Sequence, residues 1–175
     1  MIYIQFKQME HKMSILITYA SNNNTTEQCA KLLAKKLPDS HIKNLKKDKI
    51  DISDYNTVII GSCVRFNNIH NAVIDFIKDN MEQLMKKNTA IYLCCGFPEK
   101  ANQYLLHNFP KKLLNKSVSI HCFGGNLKVK PYNLYDKLVM KTVQKNFKLE
   151  NREFTEIDYD SIQEMADEIL KLNNL

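Results

Sequence analysis

Short apolar runs alternate along this chain with longer stretches whose apolar residues recur at three- and four-residue spacing. The short runs, rich in Ile, Val and Tyr, predict strands buried on both faces. They fall at residues 14–19 (SILITY), 57–61 (TVIIG), 89–94 (TAIYLC) and 117–123 (SVSIHCF), with lesser strands at 41–45 and 153–157. The longer stretches predict amphipathic helices. Cys29, Ala30, Leu33 and Leu37 share one face of a helix closed by Pro38. Val73, Phe76, Ile77, Met81 and Leu84 do the same within a helix over 70–86. A third helix falls within 101–114, its bounds blurred by Pro110. Ile162, Met165, Ala166, Ile169 and Leu170 mark a last helix, with Asp158 or Asp160 placed to cap it. Polar segments 21–26, 46–55 and 62–68 read as loops.

Strands and helices in this alternation build a doubly wound α/β domain, its sheet mostly parallel and covered on both faces. With 175 residues and no internal repeat or linker, the chain reads as one domain over 13–175 behind an N-terminal extension over 1–12. Residues 124–152 are too many for a plain turn. They read as an insert near the fifth strand, with a helix candidate at 132–147.

Composition narrows the class. Hydrophobic residues make up 44% and charged residues 25%, ordinary for a folded domain. No apolar run is long enough to span a bilayer, and the first residues lack a signal-peptide pattern, so a cytoplasmic protein is expected. The net charge of +6 suits an anionic partner, whether nucleic acid, membrane or small molecule, and does not choose among them. Five cysteines without a CxxC, and histidines not interleaved with them, give no metal site. The cysteines read as small buried hydrophobes, with a vicinal Cys94–Cys95 redox pair as the alternative.

Candidate chemistry lies in the loops after Tyr19, Gly61 and Cys94, because ligands of doubly wound sheets sit beyond the carboxyl ends of the strands. The first loop, Ser21, Asn22, Asn23, Asn24, Thr25 and Thr26, offers hydroxyls, amides and the open N–H groups of a helix start. It is either a phosphate site or a turn that caps the helix. It lacks both GxxxxGK[ST] and GxGxxG. The second loop runs Ser62, Cys63, Val64, Arg65, Phe66, Asn67, Asn68. Phe66 suits a planar ligand, and Arg65 an anionic group or the negative charge of a reduced ring. His70, just beyond, reads as a helix-start residue making one hydrogen bond. The third loop is Cys95, Gly96, Phe97 and Pro98, where Gly96 permits close backbone approach. Lys100 either anchors a substrate or stands in water. Neither a Ser-His-Asp order nor HExxH points to another enzyme class.

The run 17–26 (ITYASNNNTT) resembles the flavodoxin phosphate loop. More narrowly, 60–66 (IGSCVRF) with His70, Gly124-Gly125 before Leu127, and Tyr135-Asp136-Lys137 resemble the menaquinone-dependent protoporphyrinogen dehydrogenases, a branch of the flavodoxins. The resemblance implies a five-stranded parallel sheet in the order 2-1-3-4-5 and flavin mononucleotide (FMN) as cofactor. Residues 21–26 would hold its phosphate. Ser62 through Asn68 and Cys95 through Pro98 would flank its ring, with Arg65 as the substrate- or flavin-tuning group. The chain departs from the family at Asn24, where glycine is common, and at Asn67, where a small residue or glycine is common. The implied activity is oxidation of protoporphyrinogen IX with menaquinone as acceptor. The alternatives are an electron-transfer flavodoxin serving other redox partners, and an anion-binding module without flavin. Nucleic acid is not among the expected partners. Along 132–148, Tyr135, Leu138, Val139, Thr142 and Val143 fall at helical spacing and Lys137, Lys141, Lys145 and Lys148 along another side. That pattern either packs on the domain or lies against an anionic membrane, here the inner face of the cell membrane.

Overall fold

A computed structural model describes residues 14–125, Lys141 and residues 156–172. The expected extension over 1–12, the helix at 132–147 and most of the strand at 153–157 lie outside the described residues. Ile157 makes one antiparallel bridge, to Gly124.

Five parallel strands form the sheet: β1 (Ile15–Ala20), β2 (Ser40–Asn44), β3 (Thr57–Arg65), β5 (Asn88–Cys94) and β6 (Ser119–Cys122). They stand in the spatial order β2-β1-β3-β5-β6. Leaving out β4 (Asn68–Ile69), a short antiparallel partner of β3, this is the expected 2-1-3-4-5 order. The chain moves from β1 to one neighbour and then returns to the other, so the strand order switches between β1 and β3. Every residue of β1 is buried, whereas β2, at the sheet edge, alternates between half-buried and exposed positions.

Strand alternation sends side chains to two separate cores. On one face, Leu16, Val58, Ile60, Ile91 and Leu93 pack under α2 (Asn71–Leu84), α3 (Ala101–Asn108) and α4 (Lys111–Lys116). On the other, Ile15, Ile17, Ile59 and Tyr92 meet Cys29 and Leu33 of α1 (Thr25–Ala34) and Met165 and Ile169 of α5 (Tyr159–Lys171). Asp158 is the cap of α5, accepting from the Ser161 N–H at 3.0 Å.

Two expectations need correction. The helix sought within 101–114 is two helices. Proline forces its predecessor out of helical geometry, and Phe109 is extended with ψ 144°. The supposed loop over 62–68 is mostly a β-hairpin: β3 continues to Arg65, turns at Phe66 and Asn67, and returns as β4. Its polar residues hide a cross-strand pair, Val64 against Ile69. Asn108 at the end of α3 secures the turn, donating to the Asn67 carbonyl at 2.8 Å and accepting from the Ile69 N–H at 3.1 Å.

Candidate functional site

The loops after β1, β3 and β5 leave one edge of the sheet from adjacent rungs, since Ala20 pairs with Ser62 and Cys63 with Cys94. The first loop enters α1 through Asn24, whose φ of 65° is left-handed. That explains asparagine at a glycine position: its short amide tolerates this conformation. Asn24→Gly is expected to leave stability within a few tenths of a kcal/mol, and Asn24→Val to cost about 1–2 kcal/mol. Urea denaturation of both variants checks this.

Asn24 makes no side-chain cap, and only a long contact of 3.4 Å joins the Thr25 N–H to Asn23 Oδ1. Helix geometry leaves the remaining N–H groups of the first turn without intrahelical acceptors, and no other acceptor meets them among the described residues. Thr25 and Thr26 are buried, and the buried hydroxyls of Ser21 and Thr26 have no hydrogen-bond partner among the described residues. Buried hydroxyls without partners are costly. With free N–H groups at a helix start, they fit a phosphate monoester, which supplies acceptor oxygens and no donors.

Beneath this loop, the Tyr92 hydroxyl donates to the Thr26 carbonyl at 3.1 Å. The Tyr92 ring is fully buried and stacks on Phe123 with centroids 4.7 Å apart. Gly61 makes room for it, because a Cβ there would lie 2.0 Å from Tyr92 Cζ. Neither role was legible in the local sequence.

A cleft of about 250 Å³ joins the first loop to the hairpin, lined by Asn22, Cys63, Arg65, Phe66, Asn68, His70 and others. Phe66 is 54% exposed, and Arg65 lies over its ring, 5.4 Å from the centroid. Phe66 and Asn67 have φ of 50° and 65°, as in a type I′ turn. Asparagine thus again takes a left-handed position, at the second of the two departures noted in the sequence. For Phe66 the strain is of order 1–2 kcal/mol. Asn68 steadies the turn, donating to the Phe66 carbonyl at 2.8 Å. The Ser62 hydroxyl is engaged with the Cys63 carbonyl and the His70 N–H, and Val64 with Ile69.

His70 is the helix-start residue the sequence suggests. Its Nδ1 accepts from the Ala72 N–H at 3.1 Å, capping α2. Burial, and then the charge of Lys46, hold the imidazole below its ordinary range. A protonated Nδ1 cannot accept, so this cap belongs to the neutral ring. The folded pKa lies below the unfolded one, so the contribution is full above the unfolded value of roughly 6.5 and is lost as pH falls through the folded value. The cap is worth about 1 kcal/mol. Denaturation of the parent and His70→Asn across this range is expected to show their stabilities diverging toward acid, with Asn keeping its cap.

Lys46 is a site residue that motif reading passed over. Its Nζ donates to the Ser21 carbonyl at 3.3 Å. It comes from the charged loop after β2, and only the 2-1-3 strand order places that loop beside the first. The third loop leaves β5 as Cys95, Gly96 and Phe97, and Pro98 opens a short 3-10 helix. These residues stand at the next strand end and do not line the cleft. Lys100 lies over the Phe97 ring, 5.3 Å from its centroid.

The family described as "Flavodoxin domain" matches residues 16–153. A protoporphyrinogen IX dehydrogenase [quinone] of Escherichia coli strain K12 is 24% identical over 93% of this chain and 97% of its own. Among solved structures, a short-chain flavodoxin associated with a bacterial microcompartment covers 92% of this chain and 99% of its own at 12% identity, with a TM-score of 0.58. A Fusobacterium nucleatum flavodoxin bound to flavin mononucleotide covers 91% and 98% at 14% identity, with a TM-score of 0.51. The strand order, the phosphate-fitting helix start and the match across most of the chain agree: this protein belongs to the flavodoxin domain family.

Proposed function

We propose that this protein is an FMN-dependent dehydrogenase that oxidises a porphyrinogen and delivers the electrons to a quinone. The observation that carries the reading is the end-to-end likeness to the Escherichia coli enzyme. Bound FMN would supply the two-electron redox chemistry between a reduced organic donor and an acceptor. Ser21, Thr25 and Thr26 hold its phosphate through hydroxyl and backbone donors, and Lys46 adds a positive charge behind the loop. The hairpin and residues 95–98 bound the ring. At the mouth of the cleft Phe66 offers an aromatic face. Arg65 offers a planar cation suited to the carboxylates of a porphyrinogen.

The test is anaerobic turnover of protoporphyrinogen IX by the FMN-loaded protein with a menaquinone analogue. Porphyrin fluorescence is expected to rise only with both protein and quinone present. Arg65→Met is expected to lower turnover about tenfold or more, the worth of a hydrogen bond to a charged group, while keeping fold and FMN. A protein that holds FMN yet fails with every quinone is a soluble electron carrier instead.

Quinones of this kind are lipid-soluble, so the reading includes a peripheral contact with anionic membrane through 132–148. No helix among the described residues is long and apolar enough to cross a membrane. Salt-sensitive co-sedimentation with anionic vesicles, lost in a Leu138→Glu, Val139→Glu variant, is the expected result.

A further inference from the structure

The vicinal pair Cys94–Cys95, the alternative to plain buried hydrophobes, does not pair its sulfurs, because consecutive strand residues face opposite ways. Cys94 packs with Tyr92 on the α1 and α5 face, and Cys95 with Leu93 on the other. The sulfur that Cys95 meets belongs to Cys122, with Sγ atoms 3.4 Å apart.

A shift in the ladder brings these two together. Leu93 pairs with Cys122, and the Phe123 N–H donates to the Leu93 carbonyl at 2.8 Å. One step further, the Cys95 N–H reaches past Phe123 to the Gly124 carbonyl at 2.9 Å. Gly124 takes a φ of 68°, and a Cβ on Gly125 would lie 2.9 Å from the Cys95 carbonyl oxygen. The two glycines let the backbone cross closely enough for the thiols to touch.

We propose that Cys122 and Cys95 form a hydroperoxide-reactive thiol pair whose oxidation ties the loop after β5 to the end of β6. Cys122 is the attacking sulfur. It is partly exposed, whereas Cys95 is buried. The Cys95 thiol and the N–H groups of Gly124 and Cys95 stabilise its thiolate, lowering Cys122 to about 7 against burial and the Asp158 charge. The same contact, with burial, pushes Cys95 up, so Cys95 is the thiol of the pair and gives up its proton only as it attacks.

The steps balance. The Cys122 thiolate attacks an oxygen of hydrogen peroxide, forming an S–O bond as the O–O bond breaks, and the released hydroxide takes up the proton that Cys122 lost and leaves as water. Cys95 sulfur then attacks Cys122 sulfur. The S–S bond forms, the S–O bond breaks, and the departing hydroxide takes the Cys95 proton as a second water. Two thiols lose two electrons and the peroxide gains them. The sulfurs close from 3.4 Å to about 2.05 Å. Only the consequence for the cofactor rests on the proposed function: the tied loop is the one assigned to the flavin ring.

The experiment treats the full-length protein with hydrogen peroxide and follows intact mass and peptide maps. A loss of two hydrogens within one chain, mapped to a Cys95–Cys122 link and reversed by dithiothreitol, is expected. Cys95→Ser is expected to stop at a sulfenic acid trapped by dimedone, Cys122→Ser to yield neither product, and Cys94→Ser to behave as the parent. Brief iodoacetamide labelling of the untreated parent is expected to mark Cys122 before any other described cysteine, which needs no variant to fold. Links to another cysteine, no mass loss in the parent, or Cys122 labelled last would overturn the proposal. None of these readouts depends on turnover or on bound FMN, so they stand apart from the porphyrinogen test.

Discussion

Gly61→Ala is expected to destabilise this protein by about 3 kcal/mol or more, at the upper end for overpacking a filled core. The sign is what makes the case informative. Glycine within a strand is usually a weakness, and alanine relieves it by roughly 0.5–1 kcal/mol. Here the new methyl would lie 2.0 Å from Tyr92 Cζ and 2.2 Å from its hydroxyl oxygen. Tyr92 cannot withdraw. It is fully buried, stacked on Phe123 and bonded to the Thr26 carbonyl. For a chain of this size the loss corresponds to roughly a 10 °C fall in Tm. Shortening the ring should relieve the clash. In a Tyr92→Leu background, Gly61→Ala is expected to cost at least about 1 kcal/mol less, a coupling that a double-mutant cycle measures. A stability within about 0.5 kcal/mol of the parent for the single variant would show that the ring and strand yield easily.

The second large effect has opposite signs in two measurements. Joint replacement of Ser21 by Ala and Thr26 by Val removes two buried hydroxyls that have no partner among the described residues. The Cys94 thiol lies close enough to Thr26 to feel its hydroxyl, but they make no hydrogen bond of proper geometry. Without ligand, these hydroxyls cost stability, so the variant is expected to gain about 1 kcal/mol or more against urea. With ligand, each lost bond to a charged phosphate is worth about 1.5–3 kcal/mol, so FMN binding is expected to weaken by roughly 10²–10⁴-fold. Riboflavin lacks the phosphate and should change little. Calorimetric titration with both ligands decides. Equal weakening for the two would place the phosphate elsewhere. Lys46→Ala is the companion variant. Its effect on FMN should be smaller and should fade as salt rises, because this exposed amine acts through charge.

What the sequence made legible was local. The apolar run at β1 and the stripe of α5 each announce themselves within a dozen residues. The phosphate-fitting loop does too, because hydroxyls and amides ahead of a helix are a compact signal. Features assembled by distant partners were not legible. The hairpin at Phe66 depends on Asn108, and its polar residues match a loop equally well. Lys46 reaches Ser21 only because β2 lies beside β1. The space above Gly61 is set by a ring on the neighbouring strand. The Cys95–Cys122 contact needs a one-residue slip between strands that no periodicity reveals. The departures at Asn24 and Asn67 became intelligible once their φ angles were known: the fold requires a dihedral angle there, and asparagine satisfies it.

The division of the core between two faces bears on how the protein is made. The ribosome releases the chain from its amino end, so the elements under α2, α3 and α4 can close early. The opposite face cannot, because Tyr92 and Phe123 share a cluster with Ile162, Met165 and Ile169 of the last described helix. That late face also seats α1, whose first turn carries the threonine hydroxyls proposed to hold the phosphate. The site on this face is therefore set only once the last described helix has been made. A chain halted before Tyr159 would present an uncovered apolar surface to chaperones and proteases, with its cofactor site not yet set.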